Sequence, residues 1–231
     1  LVILTLPIVS FLLVKNIKLD SREKLTNKKI KIKKIRQWKR LEVLRDYRFY
    51  IVCLNMLAMP WIATGTFVYQ SFISSSKDWG PYVIAQSFMA YSILSVVTLF
   101  FSGFLIDKFS SRKLLIFMNL PLLFSAFILF YFNSPISSFI FFGLIGISNG
   151  LANVLGSAVW AEIYGVKYIG SIKALTTALM VFSTAFGTAF FGILIDNNFS
   201  IEQIALVSGT YILIVTIALF FVKNKLNPNY L

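Results

Sequence analysis

The segment Gly103-x-Leu105-x-Asp107, followed by Lys108, Arg112 and Lys113, places one carboxylate among three cations in a short loop. A carboxylate at a helix end accepts charge-assisted hydrogen bonds from basic side chains or from the N-terminal amides of another helix. Such a cluster forms when two helix ends meet and breaks when they part, which is the chemistry of a gate. Gly103 would permit close helix approach there. A second set of residues is uncharged. Asn55, Thr66, Tyr69 and Gln70 share one helical side; Gln86, then Ser87, Tyr91, Ser95 and Thr98 follow; Asn149, Asn153, Gly156 and Trp160 form a stripe, as do Thr177, Thr184 and Thr188. Asn55, Thr66, Gln70, Gln86, Tyr91, Asn149, Asn153 and Thr184 are candidates to line a solute path; the alternative use of such groups is to bind helices to one another. The chain has no His and a single Cys, Cys53. That leaves no Cys/His metal cluster, no His general base and no evident nucleophile and base pair, so neither enzyme chemistry nor a cofactor is expected.

The elements that must carry these residues are membrane spans. Of 231 residues 58% are hydrophobic and 13% charged, against about 45–50% and about 25% in soluble domains. Stretches of about 20 apolar residues cross the hydrocarbon of a bilayer, and six such stretches occur, at 50–73, 82–106, 114–132, 136–160, 172–195 and 204–222. A shorter apolar segment, 1–14, has neither the leading positive charge nor the small-residue cleavage site of a signal peptide. It reads as the end of a truncated transmembrane helix, and the sequence as a fragment.

The charge of +13 reports topology. If 15–48 is cytoplasmic, then 21 of the 22 Lys and Arg fall on that side and only Lys77 on the other, as the positive-inside rule requires. Residues 15–48 alone hold 14 of them, with Ile32, Ile35, Trp38, Leu41 and Leu44 recurring at every third position. That pattern suits either a solvated linker or an amphipathic helix lying on anionic headgroups. A basic nucleic-acid binder would carry its charge on a polar background, so no nucleic-acid partner is expected. No Asp, Glu, Lys or Arg sits in the central part of any span, so a coupling ion would have to be held from elsewhere.

An internal repeat organises the spans. Gly103-Phe-Leu105-Ile-Asp107 closes the second span and Gly192-Ile-Leu194-Ile-Asp196 closes the fifth, each the middle member of a group of three. Because three is odd, the second group crosses in the opposite sense, giving an inverted repeat. In each group the third span is poorest in polar side chains and reads as lipid-facing.

The loop from Gly103 to Lys113 resembles the signature loop of the major facilitator superfamily, with Ser110 and Ser111 standing where the family has Gly and its first Arg. Residues 143–165, ending Ala161-Glu162-Ile163-Tyr164-Gly165, resemble the fourth helix and following loop of that family's C-terminal half. The resemblance implies an all-α polytopic membrane protein: a six-helix transporter half-bundle of two inverted three-helix repeats over 49–222, preceded by the end of another transmembrane helix at 1–14. The basic cytoplasmic linker 15–48 lies between, and a cytoplasmic tail, 223–231, follows. It further implies multi-pass placement in the plasma (inner) membrane and transport by alternating access against a missing N-terminal half. The partners implied are the lipid bilayer and a small-molecule substrate, organic anions such as monocarboxylates among the candidates, with or without a coupling ion. The alternative is a receptor or scaffold that keeps the transporter fold without transport.

Overall fold

The structure, a computed structural model, describes residues 36–227. The expected span end at 1–14, the linker through residue 35 and the tail beyond 227 lie outside the described residues. All regular structure among the described residues is helical: α1 (Arg40–Leu44), α2 (Tyr47–Val68), α3 (Gln70–Ser76), α4 (Pro81–Phe109), α5 (Ser111–Leu114), α6 (Leu120–Tyr131), α7 (Pro135–Tyr164), α8 (Ile169–Asp196), α9 (Ile201–Val222) and a terminal 3-10 turn, Lys223–Lys225. Five of these helices are long and apolar enough to cross a membrane, with α6 a shorter apolar helix. The protein is thus an all-α polytopic membrane protein.

Local chemistry sets the ends. Pro81 and Pro135 open α4 and α7 at positions where no intrahelical N–H is needed. Ser200 and Gln203 cap α9 reciprocally, the Ser200 amide donating to Gln203 Oε1 at 2.9 Å. Gly165, at φ 85°, lets the chain leave α7 in a left-handed conformation that other residues rarely adopt.

Two spans depart from the continuous helices read from hydropathy. The first, expected over 50–73, keeps Pro60 inside α2 and breaks instead at Tyr69. The third, expected over 114–132, is divided into α5 and α6 by turns at 115–119. Pro121 fits the division: it has no N–H to donate to the carbonyl one turn back and is tolerated in the first turn of a new helix, which starts at Leu120. The expected stripe through Trp38, Leu41 and Leu44 is also split. Only residues 40–44 are helical; Trp38 sets its ring edge-on to Tyr164 with centroids 5.5 Å apart, while Leu41 is 72% exposed.

Packing of the spans is interleaved. The first helix of each group of three lies on the second helix of the other group, α2 on α8 and α7 on α4. The third helices follow the same rule, α6 packing on α7 and α9 on α2, and α6 and α9 pack on each other. This is the pairing that two repeats related by a two-fold axis produce. Glycines make the closest crossings possible. A Cβ at Gly187 on α8 would stand 2.1 Å from the Trp61 carbonyl of α2, and one at Gly146 on α7 would stand 2.4 Å from the Tyr91 carbonyl of α4.

Replacing Gly187 by Ala is therefore expected to lower stability by roughly 1–3 kcal/mol, because the obstructing atom is backbone and the helices must part. Gly156→Ala, where nothing lies within 4 Å, should be neutral or slightly stabilising. Thermal unfolding of the two purified variants in detergent checks the contrast.

Candidate functional site

At the basic end of the bundle, the acid that collects the signature loop is Glu162, on the last turn of α7. Arg112 Nε donates to Glu162 Oε1 at 2.5 Å, as does the Ser110 hydroxyl, and the Ser111 hydroxyl donates to Oε2. Arg112 reaches further, its Nη1 donating to the Leu226 carbonyl at 3.2 Å and to Asn227 Oδ1 at 2.8 Å. Asp107, the acid expected to organise this loop, is exposed and makes no ion pair among the described residues. Lys113 is exposed, and Lys108 lies over the neighbouring Phe109 ring, 5.4 Å from its centroid. The space beside Gly103 is open to 4 Å, so the close helix approach expected there does not occur within this bundle. The physical reason is that the Gly103 side of α4 faces no other helix.

Beside this clasp lies a second one. Asp46 and Arg48, both 8% exposed, pair at 2.8 Å, and the Tyr164 hydroxyl donates to Asp46 Oδ2 at 3.2 Å. Arg48 Nη1 donates to the Lys225 carbonyl at 2.8 Å. The end of the basic segment is tied in as well, since the Trp38 amide donates to the Tyr164 carbonyl at 3.1 Å and the Lys167 amide to Gln37 Oε1 at 2.9 Å. Outside the spans, Glu42 accepts from the Lys39 amide at 2.7 Å and from Arg36 at 2.8 Å. These bonds hold its carboxyl below the usual range.

Midway along the helices, residues of α2, α4, α7 and α8 line a half-open cavity of about 250 Å³. Tyr91, Asn149 and Asn153, three of the expected path residues, line it together with Pro60, Thr64 and Met180. Asn149 Nδ2 donates to Ser95 Oγ and Asn153 Nδ2 to the Asn149 carbonyl, both at 2.9 Å. The lining contains no ionisable carboxylate, Lys or Arg.

The other expected path residues lie elsewhere. Asn55 is wholly buried against Asn119 on the far side of α2, accepting from Asn119 Nδ2 at 3.1 Å and donating to the Leu115 carbonyl at 3.4 Å. It closes the break in the third span. Thr66 is buried at 2% exposure, Thr184 donates to the Val181 carbonyl of its own helix at 2.7 Å, and Gln86 is exposed on α4. Gln70 opens α3 and lines a separate hollow with Ser74 and Asp78 at the end opposite the basic loops. At that same end Lys77, the one basic residue counted on that side, is buried and pairs with Glu202 at 2.7 Å and with Asn133 Oδ1 at 2.8 Å.

Asn119, Glu162 and Lys77 were not singled out by residue type or spacing. A signal existed for two of them. Asn119 stands two residues before Pro121, where backbone carbonyls lose their donors, and the hydroxyls of Ser110 and Ser111 need an acceptor at the loop where the family has Gly and Arg.

What the interleaved packing and the tied helix ends define is a multi-pass α-helical membrane protein with a polar waist. Comparison with protein families takes this further, because the model of the Major Facilitator Superfamily matches residues 50–230. The chain belongs to that superfamily of secondary transporters. No characterised protein and no solved structure matches it.

Glu162→Gln should lower stability by roughly 1–3 kcal/mol, since it weakens three side-chain bonds at one partly buried carboxylate. Asp107→Asn should stay within about 0.5 kcal/mol of the parent. Equal losses in thermal unfolding would show that the clasp does not rest on Glu162.

Proposed function

We propose that this chain forms half of a carrier that moves a small solute by alternating access, with Tyr91, Asn149 and Asn153 on the solute path. The observation that carries this reading is the uncharged polar cavity at mid-helix, bordered by the two least-buried spans, α4 and α8. Along α4 the exposed residues Gln86, Met89, Ile93, Val96, Phe100 and Phe104 recur every three or four positions and form a continuous unpartnered stripe. An apolar stripe of that length beside a polar cavity suits a second six-helix bundle, the expected N-terminal half, closing over the cavity. Gln86 and the open flank at Gly103 both fall on the side such a bundle would cover.

The basic loops then lie on the cytoplasmic side of the plasma (inner) membrane. The Arg112 and Glu162 clasp holds the loop after α4 to the end of α7, and Asp107 remains available to the opposing bundle. A gate assembled this way closes when Asp107 finds donors across the interface and opens when it loses them. A coupling ion, if the carrier uses one, is held by groups outside this cavity. The lining also offers no Lys or Arg to pair with a carboxylate, so the expectation of an organic anion draws no support from it.

Two measurements test the reading on the complete carrier, both six-helix bundles present, in proteoliposomes. Asn149→Ala and Asn153→Ala should raise the apparent KM for the transported solute several-fold while expression and unfolding temperature hold; lower expression with unchanged KM would assign these residues to packing. Asp107→Asn should slow uptake with insertion unchanged, and unaltered uptake kinetics would remove it from the gate.

A further inference from the structure

On the other side of α8 from the polar cavity lies an apolar groove of about 320 Å³, floored by α2 and walled by α8 and α9, with Leu54, Leu57, Trp61, Phe182, Phe186 and Tyr211 in its lining. Met180 lines the cavity and Phe182 the groove, and side chains two positions apart on a helix point about 200° apart. A second bundle closing over the cavity therefore leaves the groove side of α8 to the bilayer. The hydroxyls of the groove are spent on α2, Tyr211 donating to the Leu54 carbonyl at 2.9 Å and Ser183 to the Leu57 carbonyl at 3.0 Å. What remains is hydrocarbon and aromatic ring, with the Trp61 indole N–H the one uncommitted donor among the lining side chains.

The groove runs on to the basic end of the bundle. Tyr47, Tyr50, Leu54 and Leu57 share one side of α2, and the first three are about half exposed. On α9 a matching line passes from Tyr211 through Ile214 and Phe221, both exposed, to Lys225. The Tyr50 hydroxyl donates to the Leu44 carbonyl at 2.9 Å and Arg48 to the Lys225 carbonyl at 2.8 Å, which brings Arg45 and Lys225 to the start of the α2 stripe. Both cations are exposed, and neither makes an ion pair among the described residues. Tyrosines at the end of a span settle at headgroup depth. From Tyr47 to Leu57 the helix rises about 15 Å, half of the roughly 30 Å of hydrocarbon and so the depth of one leaflet. Cations, then tyrosines, then an apolar groove follow the order of phosphate, ester and acyl chain in a phospholipid.

We propose that this groove is a binding site for an anionic phospholipid of the leaflet at the basic end, with one acyl chain between α8 and α9 and the headgroup at Arg45 and Lys225. Asp46, beside Arg45 in the chain, is buried and already paired with Arg48, so it is not free to serve the ammonium of a zwitterionic headgroup. Unpaired cations at headgroup depth favour the anionic lipid instead. The site is separate from the solute path and stands whether or not the chain transports.

Native mass spectrometry of the intact chain released from detergent tests this, with dioleoyl-phosphatidylglycerol and dioleoyl-phosphatidylcholine titrated in parallel. The first phosphatidylglycerol should bind about tenfold more tightly than the first phosphatidylcholine. Replacing both cations, Arg45→Gln with Lys225→Gln, should bring the two lipids to equal affinity. Leu54→Trp, which fills the groove, should weaken the first bound molecule of either lipid several-fold. Should Leu54→Trp fold poorly, the double variant decides, because its two side chains are exposed and unpaired. Equal affinity for the two lipids in the parent, or a phosphatidylglycerol preference that survives the double variant, would overturn the proposal. So would a first lipid indifferent to a well-folded Leu54→Trp, or displacement of phosphatidylglycerol by glycerol phosphate at matched concentration, since either would leave a headgroup contact without a groove. The same preference is expected in the complete carrier; its loss there would assign the groove to the second bundle and end the lipid reading.

Discussion

Every backbone polar group within a bilayer must find its partner inside the protein, and in this bundle that demand converges on α2. Pro60 deprives the preceding turn of one donor. Around the Met56 carbonyl that this leaves without its helical donor, three carbonyls each accept a second hydrogen bond, from side chains of α9, α8 and the turn before α6. Leu54 accepts from the Tyr211 hydroxyl of α9 at 2.9 Å, Asn55 from Asn119 Nδ2 at 2.6 Å, and Leu57 from the Ser183 hydroxyl of α8 at 3.0 Å. One turn further on, Gly187 of α8 comes against the Trp61 carbonyl. The helix most buried among the spans is thus the one whose backbone holds its neighbours, and its position fixes theirs.

The broken third span obeys the same demand. Its turns at 115–119 leave carbonyls without helical donors, and Asn55 and Ser148 supply them, at 3.4 Å to Leu115 and 2.9 Å to Met118. Asn55 therefore donates to one break while its own carbonyl is held by Asn119, a reciprocal lock between α2 and the start of α6. A polar residue used this way is withdrawn from any solute. What separates it from Asn149 and Asn153 is which face of its helix is left without a neighbour: α2 is enclosed on the Asn55 side, whereas α7 borders a cavity on the Asn149 side.

That distinction marks how far hydropathy and spacing reach. The number and order of the apolar stretches, the repeat and the polar stripe on α7 all follow from residue periodicity, and the structure has helices at each stretch. Whether a given Asn lines a cavity or mends a backbone break depends on which helix packs where, and for interleaved repeats the partners are not sequence neighbours. Asn55 meets Asn119 across 64 positions, and Ser110 meets Glu162 across 52. Pro121 was the local clue to the break, but the clue acts through carbonyls whose rescue comes from elsewhere. The same limit applies at the basic end, where the acid that binds Arg112 belongs to a helix in the other repeat.

Charge at that end is arranged so that tying the loops together does not leave a cation buried alone. Arg48 is neutralised by Asp46 and Arg112 by Glu162, and each arginine then spends a remaining donor on a carbonyl of the terminal turn, Lys225 and Leu226 respectively. Leu226 is fully buried between them. Removing either carboxylate would strand a guanidinium in a partly desolvated place, which costs more than the bond itself is worth. The loop after α4, the end of α7 and the terminal turn are consequently held as one body at this end, while the exposed flank of α4 carries Asp107 and the open space at Gly103. Motion of this bundle against any neighbour would leave those internal ties intact and change only what the flank touches. That is the mechanical condition for a rigid bundle to rock, because the bonds that must break and reform lie on its surface and not within it.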